Sequence, residues 1–185
     1  MKKLLLILLL TIPFIGFGQK VLNYKSDFII FSFYDTYTLD ESSYYMEPSN
    51  KSVKLSCNSC NYGSLDNILI TYLPIDGAEK INMPLLFKDL KKETESQGLK
   101  MGVNIDLYLV RMGAELIGDT DIPFFTYKMV MKDVETMFQK LYIYQTPTTT
   151  YQLILTTRTK EDLSKRQSDI DLILKTFEIK NWYKK

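Results

Sequence analysis

Histidine is absent from this chain. That removes the Ser-His-Asp triad, the Cys-His dyad and every imidazole metal ligand. It also removes the side chain best suited to proton transfer near neutral pH. Carboxylates, lysine and tyrosine remain, but no paired acidic motif stands out for a carboxylate-dependent hydrolase. Cysteine is nearly absent too: Cys57 and Cys60 are the whole supply, so a four-ligand structural zinc site cannot be built. A dominant charge is missing as well. The chain has 23 Lys+Arg against 22 Asp+Glu, and this gives no basic field for a generic nucleic-acid or anionic-membrane binder. With few glycines and no Pro/Gly linker, repeat or low-complexity tract, the chain reads as one domain.

Long apolar runs are missing everywhere except at the start. Lys2 and Lys3 precede an apolar stretch over residues 4–14, broken by Thr11 and Pro13. Gly16 and Gly18 then put small side chains at −3 and −1 of a cut before Gln19. This is the layout of a cleavable secretory signal. The run is shorter than the roughly 20 residues a spanning helix needs. Residues 1–18 are therefore expected to be a signal peptide and residues 19–185 a single domain, periplasmic or secreted. Losing Lys2 and Lys3 leaves 21 basic against 22 acidic residues, a net charge of −1. No second segment is apolar enough to span a membrane after cleavage.

Export changes the meaning of Cys57 and Cys60. A C-x-x-C can be a redox motif, part of a zinc site or a short disulfide. A redox pair usually opens a helix, whose N-terminus lowers the thiol pKa. Here turn formers surround the pair (Asn58, Ser59, Asn61, Gly63), and a strand-like run follows. In an oxidising compartment a structural disulfide is the expected state. A thiol-active protein using the pair is the alternative.

What the sequence has in quantity is aromatics, thirteen of them tyrosines and ten phenylalanines, a composition that favours strands. Residues 28–34, 52–57 and 67–73 read as strands, with a possible short one at 44–46. Asn82 and Pro84 open a helix whose Leu86, Phe87 and Leu90 face inward, and Gly98 is its expected stop. Residues 106–112 form another strand, extended by Leu116 and Ile117 after a bend. Residues 118–123 are expected as a turn; Asp119 and Asp121 lack the spacing of a calcium loop. Residues 124–131, 135–144 and 149–157 are three successive strands, joined so tightly that they must be antiparallel. On the middle one, Leu141 and Ile143 take one face, and Phe138, Lys140, Tyr142 and Tyr144 the other. Thr159 to Asp162 resembles a capping box. It opens a final helix with Leu163, Ile170, Ile173, Leu174 and Phe177 as its apolar stripe. The predicted class is α+β, an antiparallel sheet with a mid-chain and a C-terminal helix packed on it.

The ending carries a resemblance. Tyr151-Gln152-Leu153-Ile154-Leu155-Thr156-Thr157, a charged capping turn, and then Asp169 through Phe177 resemble the close of the PsbP/DcrB-like superfamily. There a strand of the form y-x-l-t runs into a helix ending i-l-x-S/T-F. Asn67 to Ile70 followed by Met83 to Leu86 is similar to its central strand and first helix. The resemblance implies an α/β/α sandwich over about residues 25–180. It also implies an accessory or binding role in a larger assembly, with no shared catalytic residues. The expectation is thus an exported, non-enzymatic protein without cofactor or metal, working with a protein partner of the envelope. Tyr34, Tyr37, Tyr44 and Tyr45 are its candidate partner surface, although packing in the core explains tyrosines there equally.

Overall fold

Three C-terminal strands, β7 (Thr120–Met131), β8 (Glu135–Thr146) and β9 (Thr149–Thr157), form an antiparallel meander at the middle of the molecule. The computed structural model describes residues 19–26, 29–40, 52–60, 66–73, 81–146 and 149–180. Residues 1–18, and with them the proposed cleavage residue Gly18, lie outside the described residues, as do Tyr44 and Tyr45. Before the meander come β1 (Val21–Lys25), β2 (Ile29–Tyr34), β3 (Tyr37–Asp40), β4 (Ser52–Cys57), β5 (Asn67–Leu73), α1 (Met83–Lys100) and β6 (Ile105–Ile117). After it come α2 (Lys160–Lys165), α3 (Gln167–Thr176) and β10 (Glu178–Ile179).

Seven strands make one antiparallel sheet in the order β3-β4-β5-β9-β8-β7-β6. The chain crosses through α1 from β5 to the far edge, then returns strand by strand to lie beside β5. A smaller sheet, β1-β2-β10, stands apart from it.

Period two decides what covers each face. Phe125, Tyr127, Leu141 and Ile143 pack with Met83 of α1 on one side. Phe124, Tyr142, Tyr151 and Leu153 point to the other, where Ile170, Ile173, Leu174 and Phe177 cover them. The small sheet completes that second layer through Phe31 and Phe33. The α+β expectation of two helical regions on antiparallel strands is what the structure has.

The caps follow the sequence. Asn82 accepts the N–H of Leu85 at 3.1 Å, with Pro84 in the first turn. Thr159 accepts the N–H of Asp162 at 3.0 Å and donates its hydroxyl to the same residue's Oδ2 at 2.7 Å.

Several boundaries differ from expectation. Gly98 does not stop α1, which continues to Lys100. The left-handed residue is Gly102, with φ +72°. Gly98 is instead where helix and strand meet, and a Cβ there would lie 2.7 Å from Ile105 Cγ1 and 2.8 Å from the Val103 carbonyl oxygen. Gly98→Ala is expected to destabilise the fold by about 1 kcal/mol. The overpacking cost exceeds the gain in helix propensity, and a urea midpoint at or above wild type would contradict it. The turn expected over 118–123 is only Gly118-Asp119, because Gly118 at φ +62° closes it tightly. Asp121 and Pro123 belong to β7, and Pro123 precedes the first residue paired with β8, so its missing N–H breaks no ladder bond there. Residues 105–117 form one strand with a bulge between Leu109 and Arg111, not two pieces around a bend. The last helix is broken at Arg166 into α2 and α3. β1 and β3 were not anticipated: they are short, and their apolar residues are too few to show a period.

Candidate functional site

Of the tyrosines and cysteines singled out in the sequence, Tyr37 and Cys57 lie side by side at one end of the large sheet. Cys57 is the last residue of β4 and pairs with Tyr37 of β3. It is bonded to Cys60, with Cα atoms 5.6 Å apart. Around the bond the backbone is tied down: Cys57 N–H donates to the Asp66 carbonyl at 3.0 Å and Asn58 N–H to the Thr36 carbonyl at 2.9 Å. The Asn58 amide also donates to the Thr38 hydroxyl at 2.6 Å. Cys57 is buried and Cys60 half-buried. Cys57 ends a strand, so no helix N-terminus of the kind that activates a redox thiol lies at its sulfur.

Tyr37 corrects the surface expectation. It is only 4% exposed, and its hydroxyl donates to Asp169 Oδ2 at 2.6 Å. Burial, then the Asp169 carboxylate, pushes its pKa far above the usual tyrosine range. Arg166 Nη1 approaches the same Asp169 oxygen at 3.4 Å. Tyr37 therefore fastens β3 to α3 from inside. Tyr34, at the end of β2, is half-buried against the core. Beside this end lies Asp66, 4% exposed. Burial, then the charge of Asp162, raises its carboxyl pKa, against a main-chain hydrogen bond from Arg158. Among the described residues its Oδ1 has no hydrogen-bond partner.

A second constellation escaped the sequence reading. Lys140 of β8, 6% exposed, places its ammonium 2.6 Å from Glu115 Oε1 of β6 and 2.8 Å from Gln167 Oε1 of α3. It also lies 4.4 Å above the Phe124 ring and 4.9 Å above that of Tyr142. The Tyr142 hydroxyl donates to Glu115 Oε2 and accepts from Gln167 Nε2 at 2.7 Å. Gln167 Nε2 also donates to Asp171 at 2.7 Å. Burial pushes the Glu115 carboxyl up, but hydrogen bonds from Lys140 and Tyr142 and the Lys140 charge outweigh it, and the net shift is down. These groups saturate one another, which makes the network a strap between β6, β8 and α3. One signal could have found it: a lysine sharing the inward face of β8 with Phe138 and Tyr142.

Among the described residues, no group of three or more Cys, Asp or Glu side chains is placed to hold a metal ion. No helix among them is long and apolar enough to cross a membrane.

No protein-family model and no curated protein matches this chain. Solved structures do. Cyanobacterial PsbP (CyanoP) from Synechocystis sp. PCC 6803, a solution structure, superposes with a TM-score of 0.55 over 90% of this chain and 96% of its own, at 11% identity. The fold is PsbP-like. A protein of Bacteroides thetaiotaomicron VPI-5482, solved by crystallography, matches with a TM-score of 0.50 and 12% identity. The match covers 90% of this chain, which spans half the length of the Bacteroides protein. The near-complete cover in both lengths makes CyanoP the better guide to the domain. The Tyr151–Phe177 ending, on which the resemblance was read, forms β9 in the middle of the large sheet and then α2 and α3, with Phe177 just beyond α3.

Proposed function

We propose that this protein is exported and acts as a non-enzymatic accessory or binding protein in the cell envelope. The observation that carries the reading is the PsbP-like fold, which CyanoP shares over nearly its whole length. The signal-like residues 1–18 and the disulfide between Cys57 and Cys60 suit an oxidising destination. The mutually satisfied Glu115–Lys140–Tyr142–Gln167 network supports a structural use of the interior polar groups. The disulfide-tied end, with Tyr34 half-buried and Asn58 and Ser59 exposed, is the surface we assign to the partner. Preordered backbone there would lower the entropy lost on binding. A thiol-active role has less support, because Cys57 is buried and is the last residue of a strand.

Crosslinking in intact cells, followed by purification and mass spectrometry, tests this. The expected result is a chain beginning at Gln19 that recovers the same envelope protein in replicate, with recovery reduced when Tyr34 and Asn58 are both replaced by alanine. A chain still beginning at Met1, or no reproducible partner, would overturn it. Full labelling of both cysteines without reductant would return the thiol-active alternative.

A further inference from the structure

Among the described residues β6 is the end strand of the seven-stranded sheet, paired with β7 alone, and it is thirteen residues long. Such an edge is a template for another strand unless something covers it. Its first part is covered. Lys91 of α1 donates to the Leu107 carbonyl at 2.9 Å, and Glu95 accepts the Leu107 N–H at 3.4 Å. Residues 109–117 continue past that clamp as far as the Gly118 turn. They carry Leu109 at 46%, Val110 at 42% and Leu116 at 71% exposure, a dense run of exposed apolar side chains for a strand.

The geometry points to a second copy of this chain as the occupant, its β6 antiparallel to the first across a two-fold axis at Gly113. Three features select that register. The first is length: residue 113 is the midpoint of 109–117, so this register overlaps the open stretch symmetrically, with the strands in phase over 111–115 and the bulge at Val110 ending the match. The second is phase. Leu107 turns its main-chain groups outward to α1, and the bulge between Leu109 and Arg111 inserts one residue. Counting on in twos, Met112, Ala114 and Leu116 turn theirs outward. The register sets Met112 opposite the partner's Ala114, so both main chains meet with free groups. The third is charge. Arg111, which is exposed, lies opposite the partner's Glu115, whose carboxylate is held in place by its own Lys140 and Tyr142, so opposite charges face each other twice by symmetry. Val110 meanwhile meets the partner's Leu116, covering the most exposed leucine of the edge. Moving the axis by one residue keeps the phase but sets Arg111 against glycine or Glu115 against glycine. Because the contact is isologous, it closes at two chains and does not grow into a fibre.

Sedimentation of the purified 19–185 chain across a concentration series reads the prediction directly. A monomer–dimer equilibrium with no larger species is expected. Ala114→Pro removes an outward N–H on an end strand, which a monomer tolerates, and it is expected to leave only monomer. If that variant fails to fold by circular dichroism, Leu116→Lys replaces it, since the site is mostly exposed in the monomer. Gly113→Cys fixes the register. Paired across the axis, the two Cα atoms would stand about 4.5 Å apart, within disulfide reach, and air oxidation should give a covalent dimer. The new Cβ meets Phe124 at no closer than 3.5 Å, an ordinary contact. A monomer at every concentration, a dimer indifferent to Ala114→Pro and Leu116→Lys, open-ended association, or a dimer whose Gly113→Cys form does not crosslink would each overturn the proposal.

Discussion

Phe31→Ala is expected to lower the unfolding free energy by about 4 kcal/mol, the usual size for a core aromatic. Phe31 is fully buried in the middle of β2. Its ring lies 4.9 Å from Tyr24 and 6.1 Å from Phe33, and it stacks on Phe177 at 6.3 Å. Phe177 in turn meets Tyr144 at 5.3 Å and Tyr151 at 5.2 Å on the large sheet. Phe31 is thus a principal link by which the small sheet is held to the rest. Alanine would open a cavity bordered by three elements that cannot close it without moving β2 away from α3. Urea unfolding should show the loss, and Phe31→Leu should keep most of the stability, at a cost of about 1.5 kcal/mol. A loss below about 1 kcal/mol for alanine would mean that the small sheet adds little to the cooperative unit.

Glu115→Ala is the second large effect, about 2–3 kcal/mol. Removing one partner of a fully buried ion pair costs about 3–5 kcal/mol, because the other charge is stranded. The value is reduced here because the Glu115 side chain is 27% exposed and so partly screened. Lys140, with 8% of its side chain exposed, would keep only Gln167 and the two aromatic faces. The pH dependence has a definite sign. Glu115 has a lowered pKa in the folded state. Its contribution is therefore complete above the ordinary glutamate value of 4.5 and is lost as the pH falls below that and through the folded-state value. The gap between wild type and Glu115→Ala should be widest near neutrality and narrow in acid. Replacing both partners, Glu115→Leu with Lys140→Met, should recover most of the stability, since no buried charge is then left alone. A constant gap from pH 7 to pH 3, or a double variant no better than the single one, would show that the ion pair is not the source.

Legibility varied with how local each signal was. The period-two pattern over residues 124–157 placed three strands and assigned Leu141 and Tyr142 to opposite faces. Asn82, Pro84 and Thr159 marked helix starts that the structure has, because a cap is satisfied within one turn of chain. The Cys57–Cys60 bond was legible for the same reason. Helix and turn ends were read less well. Gly98 has the chemistry of a stop but serves as the point where α1 can approach Ile105. Tyr37 was open to two readings, and its hydroxyl bond to Asp169, 132 residues away, decided for packing.

The residues by themselves determined the strand and helix periods, the caps, the C-terminal stripe, the balance of charge and the loss of all histidine chemistry. Each of these depends on side-chain identity or on neighbours within a few positions. Only the tertiary structure decided that β5 lies beside β9, that β6 is the edge strand among the described residues, and that Glu115, Lys140 and Gln167 converge. A local pattern specifies which face a residue takes. It does not specify which distant element arrives to cover that face or to pair with that edge, and the energies of burial, charge pairing and strand addition all depend on that arrival.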